Sequence, residues 1–345
     1  MDAMAGGKSC AGECPVKILV ISIERTEYTL DLIRNVYEPH GVEVKFLDEV
    51  GWRDLLHALR THDALVVNSY SDFKCVALLL LNGLFFRRPM GIDADSQLRI
   101  PTGWARRWFK SAWLGWLFAR KWCWGFAGGT VSHREFYRHY GMDEQRIRLM
   151  PMMVDNARFI CAATKAPSSV CRFGYVGRLV AHKNVDVAIR SLALLLKEGL
   201  AVQLDIVGHG PEEGRLRRLV ASAGLEKSVH FRGYLEGASK IQAYREMDCL
   251  VLPSRYEPWG LVVNEALASG TPVVVSDSVG ARFDLVEGCG FVVKTGDVGS
   301  LADAMRKMAK DINRRQAMGA RGLARMREWD YNLYRKCWDG WIAEL

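Results

Sequence analysis

Two glutamates stand eight positions apart in RYEPWGLVVNEALASG (255–270), with Pro-Trp-Gly and an apolar run between them. The stretch from Leu261 reads as a helix that stops at Gly270. Glu257 then lies on the loop before the helix and Glu265 about one turn inside it, so both can face one cleft. Gly260 leaves the amides of Leu261 and Val262 open to an anion at the helix start. One carboxylate can grip sugar hydroxyls and the other a ribose, with phosphate on the amides between them. The same spacing also fits a helix-start acid followed by a solvated helix glutamate. A second set lies in GYVGRLVAHKN (174–184), with Gly177 and Arg178 at a strand end and Lys183 in the loop before a helix. Two cations beside a helix N-terminus suit a diphosphate, although each alone also fits a solvated loop. VGHGP (207–211) adds a turn with Gly208 and Gly210, whose His209 reads as a surface residue.

Doubly wound elements are what would bring these groups together. VKILVISI (16–23), VEVKFLD and DALVVNSY read as buried strands, alternating with helical stretches such as WRDLLHALRTH. The alternation breaks at residues 157–170, a linker rich in Ala, Ser and Pro, and restarts with VCRFGYVGRL. Alternating strands and helices imply parallel sheets covered on both faces. The expected architecture is α/β, with two doubly wound Rossmann-like domains facing a central cleft: residues 15–156, then 171–326, with 327–345 as a final helix. In such sheets ligands bind at the carboxyl ends of the strands, where every unusual residue of the second half falls.

A chain of 345 residues is long enough for two cores, and 49% hydrophobic with 25% charged residues is ordinary for a globular protein. The net charge of +8 points to an anionic partner. No nucleic-acid motif accompanies it, so phosphates are expected rather than nucleic acid. Nine cysteines occur without a CxxC pair, as reduced thiols in a cytoplasmic protein would. The first fourteen residues lack a signal-peptide core, and the apolar run CVALLLLNGLFF (75–86) is too short to span a bilayer.

WARRWFKSAWLGWLFARKWCWG (104–125) reads as a basic amphipathic helix. Arg106, Arg107, Lys110, Arg120 and Lys121 fall in one arc of the helical wheel, and Trp104, Trp108, Phe109, Trp116, Phe118 and Trp122 lie mostly opposite. Docking on an anionic membrane surface and packing of the Trp face on the core both fit.

In order and spacing, GYVGRLVAHKNVDVAIRSL, LDIVGHGPEEGRL, VHFRGY, MDCLVLPSRYEPWGLVVNEALASGTPVVVSD and GFVVKTGDVGSLADAM resemble the carboxyl-terminal domain of the retaining glycosyltransferases of family 4, which have the GT-B fold. The resemblance spans about residues 172–310. It implies a nucleotide-sugar donor, a co-substrate rather than a cofactor, with a UDP-linked donor expected ahead of a GDP-linked one. Arg178 and Lys183 would hold the diphosphate, and Glu257 the transferred sugar beside Trp259, Gly260, Leu261 and Val262. Glu265 would bind the ribose, with Gly177 and Gly208 under the nucleotide and Tyr234 by the base. The amino-terminal half resembles the acceptor domain more loosely. IDADSQ (92–97) sits where that fold places a polar residue near the reacting carbon, which makes Asp95 or Asp93 the candidate. The first loop, SIERTEY, lacks a Gly-rich turn and carries Glu24, Arg25 and Glu27 instead, assigned to the acceptor. DAD (93–95) also spells a metal-binding DxD, but phosphate cations in the second domain make metal-independent transfer the expectation. The resemblance further implies that the last helix crosses back to the first domain. The acceptor is expected to be a glycan or lipid-linked hydroxyl, reached from the inner face of a membrane. A sugar-nucleotide epimerase and a non-catalytic binding protein are the rival readings.

Overall fold

The computed structural model describes residues 16–94, 96–160 and 169–345. Asp95, Cys10, Cys14, Cys161 and most of the expected linker lie outside the described residues. The first sheet contains β1 (Ile18–Ser22), β2 (Glu43–Phe46), β3 (Ala64–Val67), β4 (Met90–Asp93), β5 (Cys123–Ala127) and β6 (Ile147–Leu149), in the order β2-β1-β3-β4-β5-β6. The second contains β7 (Cys171–Val176), β8 (Val202–Val207), β9 (Val229–Gly233), β10 (Cys249–Leu252), β11 (Val273–Ser276) and β12 (Gly290–Val293), in the order β12-β11-β10-β7-β8-β9. All pairings are parallel. Runs such as ILVIS, ALVV and CLVL are buried throughout, as strands covered by helices on both faces must be.

Both orders contain a switch point, between β1 and β3 in one sheet and between β7 and β10 in the other. There the loops leave toward opposite sides and open a crevice. The loops after β7 and β10 carry Lys183 and Glu257, so the two motifs flank one switch point. Helices α1 (Glu27–Leu32), α2 (Trp52–Thr61), α3 (Phe73–Leu81), α4 (Trp104–Phe118), α5 (Ser132–His139) and α6 (Asn156–Phe159) belong to the first half. The second half adds α7 (Val185–Lys197), α8 (Glu213–Ser222), α9 (Gly237–Glu246), α10 (Leu261–Ala268), α11 (Val298–Lys310), α12 (Ile312–Glu328) and α13 (Tyr331–Ile342).

Two segments differ from the sequence reading. Helix α4 ends at Phe118, and β5 begins at Cys123, so Arg120, Lys121 and Trp122 do not continue the helical wheel. The strand needs Cys123 and Trp124 for its pairing with Met90 and Gly91, and that pairing overrides the helical pattern. The start of the expected linker is also ordered. Phe159 is buried in α6, and the amide of Asn156, just before the expected linker, donates to the carbonyls of Met326 and Trp329 at 2.6 and 3.0 Å.

Helix α13 packs on the first domain. Trp338 and Trp341 are fully buried, edge-on or tilted against Tyr37 and Phe126 at centroid distances of 5.0–6.2 Å. The hydroxyls of Tyr37 and Tyr334 meet at 3.0 Å, and Arg335 donates to the Asn35 carbonyl at 2.7 Å. Truncating a fully buried Trp leaves a cavity that the surroundings only partly fill. Trp338→Ala should therefore destabilise the first domain by about 3–5 kcal/mol in denaturant titration. The exposed Trp108→Ala should stay within about 0.5 kcal/mol of wild type. Equal stability of both variants would mean that the last helix does not build that core.

Candidate active site

The first cavity at the domain junction is built from two loop ends of the second sheet. It holds about 240 Å³ and is lined by Gly177, Lys183, Glu257, Gly260, Leu261 and Val262 among others. Lys183 ends a single helical turn after β7, and its ammonium forms an ion pair with Glu257 Oε2. Ser254 donates to the same oxygen at 3.2 Å. The loops are also joined through the backbone, Arg255 N donating to the His182 carbonyl at 2.7 Å. Gly260 takes φ +97°, a left-handed conformation that turns the chain into α10, whose first two residues line the cavity. Gly208, at φ +134°, does not line this cavity. A Cβ there would come 1.9 Å from the Gly177 carbonyl, so its part is to let two strand-end loops touch.

Glu265 lies on the neighbouring wall, in a larger cleft of about 630 Å³ that shares Leu261 and Val262 with the first cavity. Lys240 Nζ contacts one carboxylate oxygen at 2.6 Å, and the Tyr244 hydroxyl donates to the other at 2.5 Å. Burial, reinforced by the Glu265 charge, pushes the Tyr244 phenol well above its ordinary range and keeps it a donor. Neither Lys240 nor Tyr244 was singled out from the sequence. Their spacing of four on α9 puts them on one helix face, a signal that gains meaning only once α9 is known to cover α10.

The first domain supplies the opposite wall of the larger cleft. Glu24, Glu27 and Asp93 line it, with Asn68, Ser69 and Tyr70. Glu27 and Asp31 both bind Arg158, at 2.5 and 2.7 Å, so this arginine neutralises the acidic rim. Burial raises the Asp31 carboxyl above the usual range, against the pull of Arg158.

Six expected site residues sit differently. Arg25 turns away to Asp48 and Glu49 and stacks over Phe46, because two exposed acids lie within its reach. Arg178 is exposed at the end of β7 and lines neither cavity. Trp259 touches the small cavity but is 1% exposed, stacked on Trp329 at 5.7 Å with its indole N–H on Asn264. Its flat ring serves the domain joint. Lys110 is half-buried among aromatic rings, and Trp116 is half-buried against Trp113 at 5.5 Å; neither projects freely to a surface. Tyr234 is 64% exposed and meets His209 edge-on at 5.4 Å.

Two side-chain contacts join the domains at the cleft, with no signal in the sequence. The Gln97 amide donates to the Glu257 carbonyl at 2.8 Å, and Thr130 N donates to the Asp284 carboxylate at 3.1 Å. Desolvation raises the Asp284 carboxyl above its ordinary value, with the Thr130 hydrogen bonds opposing it.

Residues 162–325 match the profile of the family described as "Glycosyl transferases group 1". A D-inositol 3-phosphate glycosyltransferase of Nocardia farcinica is 33% identical over 214 residues, which cover 57% of this chain and 47% of that protein. A glycogen synthase of Mycobacterium tuberculosis is 33% identical over 171 residues, 49% of this chain and 41% of that one. The chain thus spans about half the length of these curated relatives. The fold is also that of the Anabaena protein Alr3699/HepE, solved in complex with UDP, at TM-score 0.75 and 18% identity over 95% of this chain and 100% of that one. The apo lipopolysaccharide outer core galactosyltransferase WaaB superposes at TM-score 0.76, with 15% identity over 95% and 100% of the two chains. Most of the second domain thus matches the group 1 glycosyl transferase profile, and the two sheets are arranged as in these structures, so the chain has the GT-B fold.

Proposed function

We propose that this protein transfers a sugar from a UDP-linked donor to a hydroxyl of a glycan or lipid-linked acceptor, retaining the anomeric configuration and without a metal. The observation that carries the reading is the Lys183–Glu257 ion pair at the mouth of the α10 amides. An entering diphosphate competes with Glu257 for the lysine. Once displaced, the carboxylate is free to accept hydroxyl groups of the transferred sugar. The two groups thus change partners within one small volume as the donor arrives. Glu265, already oriented by Lys240 and Tyr244, keeps lone pairs for ribose hydroxyls.

The chemistry is leaving-group stabilisation. As the bond from the anomeric carbon to the diphosphate breaks, negative charge grows on the departing oxygens, and Lys183 and the helix amides meet it. The acceptor hydroxyl attacks from the face the diphosphate leaves, so configuration is kept, and its proton passes to the departing phosphate. We assign no covalent intermediate on the enzyme. Asp93 lines the acceptor side of the cleft, and Asp95 stays a candidate beside it. The Anabaena structure bound to UDP supports the uridine assignment. A Corynebacterium glutamicum relative named as GDP-mannose-dependent represents the alternative nucleotide.

The acceptor reading extends to a membrane. Trp104, Trp108 and Phe109 are 85%, 68% and 69% exposed on α4, flanking the exposed Arg106 and Arg107. Leu84 and Phe85 are also exposed, next to Gly83 that packs on Trp116 in the rear part of α4. Among the described residues no helix is long and apolar enough to cross a bilayer. Aromatic side chains beside two arginines suit peripheral docking on the anionic cytoplasmic face of a membrane.

Turnover of UDP-sugars should survive EDTA, whereas Lys183→Ala should lower it by about 10²–10³, the usual loss of one charge-stabilising donor. Abolition by EDTA with recovery on adding Mn²⁺ would return Asp93 and Asp95 to the role of metal ligands.

Glu257→Gln should chiefly lower kcat. Glu265→Gln should mainly raise the donor's KM, since a ribose contact is made before and during transfer alike. Matching kinetic profiles would contradict this division.

Wild-type protein should co-sediment with phosphatidylglycerol vesicles at low salt and be released by high salt, each basic residue near the surface contributing about 1 kcal/mol. Trp104→Ser with Trp108→Ser and Arg107→Glu should abolish sedimentation and leave UDP binding intact. Indifference of the wild type to anionic vesicles would make the acceptor a soluble one.

A further inference from the structure

A separate pocket of about 420 Å³ opens between α4 and the domain junction. Arg99, Arg106 and Lys110 line it, with hydroxyls from Ser96, Thr102 and Tyr256, and none of the described residues around it is a carboxylate. The concentration of charge is unusual for this protein. The arginine and lysines that line the two cavities described above each have an acid: Arg158 has three, Lys183 has Glu257, and Lys240 has Glu265. In this pocket the partners are aromatic. Lys110 Nζ lies 5.4, 5.5 and 5.9 Å from the ring centroids of Phe136, Tyr140 and Tyr70, and the Arg99 guanidinium lies 5.4 Å from that of Tyr256. The Arg99 carbonyl is the nearest acceptor for Lys110, at a long 3.5 Å. Burial pushes the Lys110 ammonium below the usual lysine range, a pull that a nearby anion reverses. Rings attract a cation but do not neutralise it, so no acid among the described lining residues compensates the three converging charges.

The pocket joins the place of reaction. Tyr70 and Ser96 line both it and the main cleft, their hydroxyls 3.2 Å apart. Tyr256 belongs to the other domain and immediately precedes Glu257. An anion held here sits on the acceptor side, with a path for whatever it is attached to into the cleft.

We propose that the Arg99–Arg106–Lys110 pocket is a subsite for a phosphate group carried by the acceptor. The proposal rests on the transferase reading above and narrows its acceptor to one bearing a phosphate within reach of the hydroxyl that takes the sugar. The guanidinium groups donate to phosphate oxygens in pairs, and Lys110 supplies a point charge from the pocket wall. Because Arg99 lies against Tyr256, a phosphate bound here also bridges the two domains. The phosphate belongs either to a lipid headgroup, reached from the neighbouring Trp104 and Trp108, or to a soluble phosphorylated glycan.

The test uses the full chain with inorganic phosphate as probe, at constant ionic strength set by chloride, reading protection against thermal unfolding. Wild type and Lys183→Ala should both show saturable protection. Lys110→Met and Arg99→Gln should weaken it by about tenfold or more, as loss of a charge-assisted contact does. A phosphate effect that disappears in Lys183→Ala and persists in Lys110→Met would overturn the proposal by placing the anion in the donor site. Absence of saturable binding in the wild type would overturn it as well. UDP titration of the same samples keeps the two readings apart. Lys110→Met that binds UDP like wild type and has lost phosphate supports the subsite, whereas wild type that binds phosphate but no UDP sinks the donor assignment alone. The source of the phosphate follows from vesicles containing phosphatidic acid. Binding that inorganic phosphate displaces and Lys110→Met abolishes assigns the lipid headgroup. Vesicle binding unaltered in Lys110→Met, with phosphate protection lost, assigns a soluble phosphorylated acceptor.

Discussion

The backbone carbonyl of Glu257 is held by two donors at once, the Gln97 amide at 2.8 Å from the first domain and Gly280 N at 3.0 Å from the second. Few loops are fixed so firmly from both sides of a cleft. The next residue is constrained as well, since a Cβ on Gly280 would come 1.9 Å from the Pro258 carbonyl. With the main chain fixed at Glu257 and turned at Gly260, the carboxylate and the α10 amides have little choice but to face the same cavity. Orientation of this kind is prepared before any ligand arrives, which is what electrostatic stabilisation requires.

The domain joint shares this dependence on single acceptors. The Met152 carbonyl accepts from the Asn264 amide at 3.0 Å and from the Trp329 indole at 2.8 Å. Asn264 in turn holds the Trp259 indole at 2.8 Å. One carbonyl in the segment connecting the sheets thereby anchors the helix that follows Glu257 and the end of α12. Gly129 completes the fit, because a Cβ there would meet the Trp259 ring at 2.5 Å. Geometry at the cavity is thus tied to the angle between the domains, the usual route by which closure completes a site.

Much of this was legible in the chain. Continuous apolar strands, alternating with helices and ended by Gly, gave away two parallel sheets. Lys183, Glu257, Gly260 and Glu265 could be found because a switch point collects the residues just past the strand ends. What stayed hidden shares one property: its meaning depends on a partner far away in sequence. Lys240 and Tyr244 look like an ordinary helix face until α9 is laid over Glu265. Trp259 looks like a ligand platform until Trp329 is seen stacked on it. Arg25 reads as a site cation because the loop carrying Asp48 and Glu49 lies 23 and 24 residues on. Helix α4 reads as longer than it is for a related reason. Its basic residues keep helical spacing past Phe118, yet pairing with β4 decides that Cys123 onward is strand. The Trp-rich segment thereby divides into an exposed front at Trp104 and Trp108 and a packed rear at Trp113 and Trp116.

The aromatic contact between Tyr37 and Tyr334 joins positions 297 residues apart. The first domain is therefore not assembled from one continuous stretch of polypeptide. During synthesis its six strands leave the ribosome long before α13 does, and the faces of Tyr37 and Phe126 that Trp338 and Trp341 will cover stay wet meanwhile. The second domain, contiguous in sequence, has no such wait. Vectorial folding would then run out of order, with the domain translated first being the one finished last.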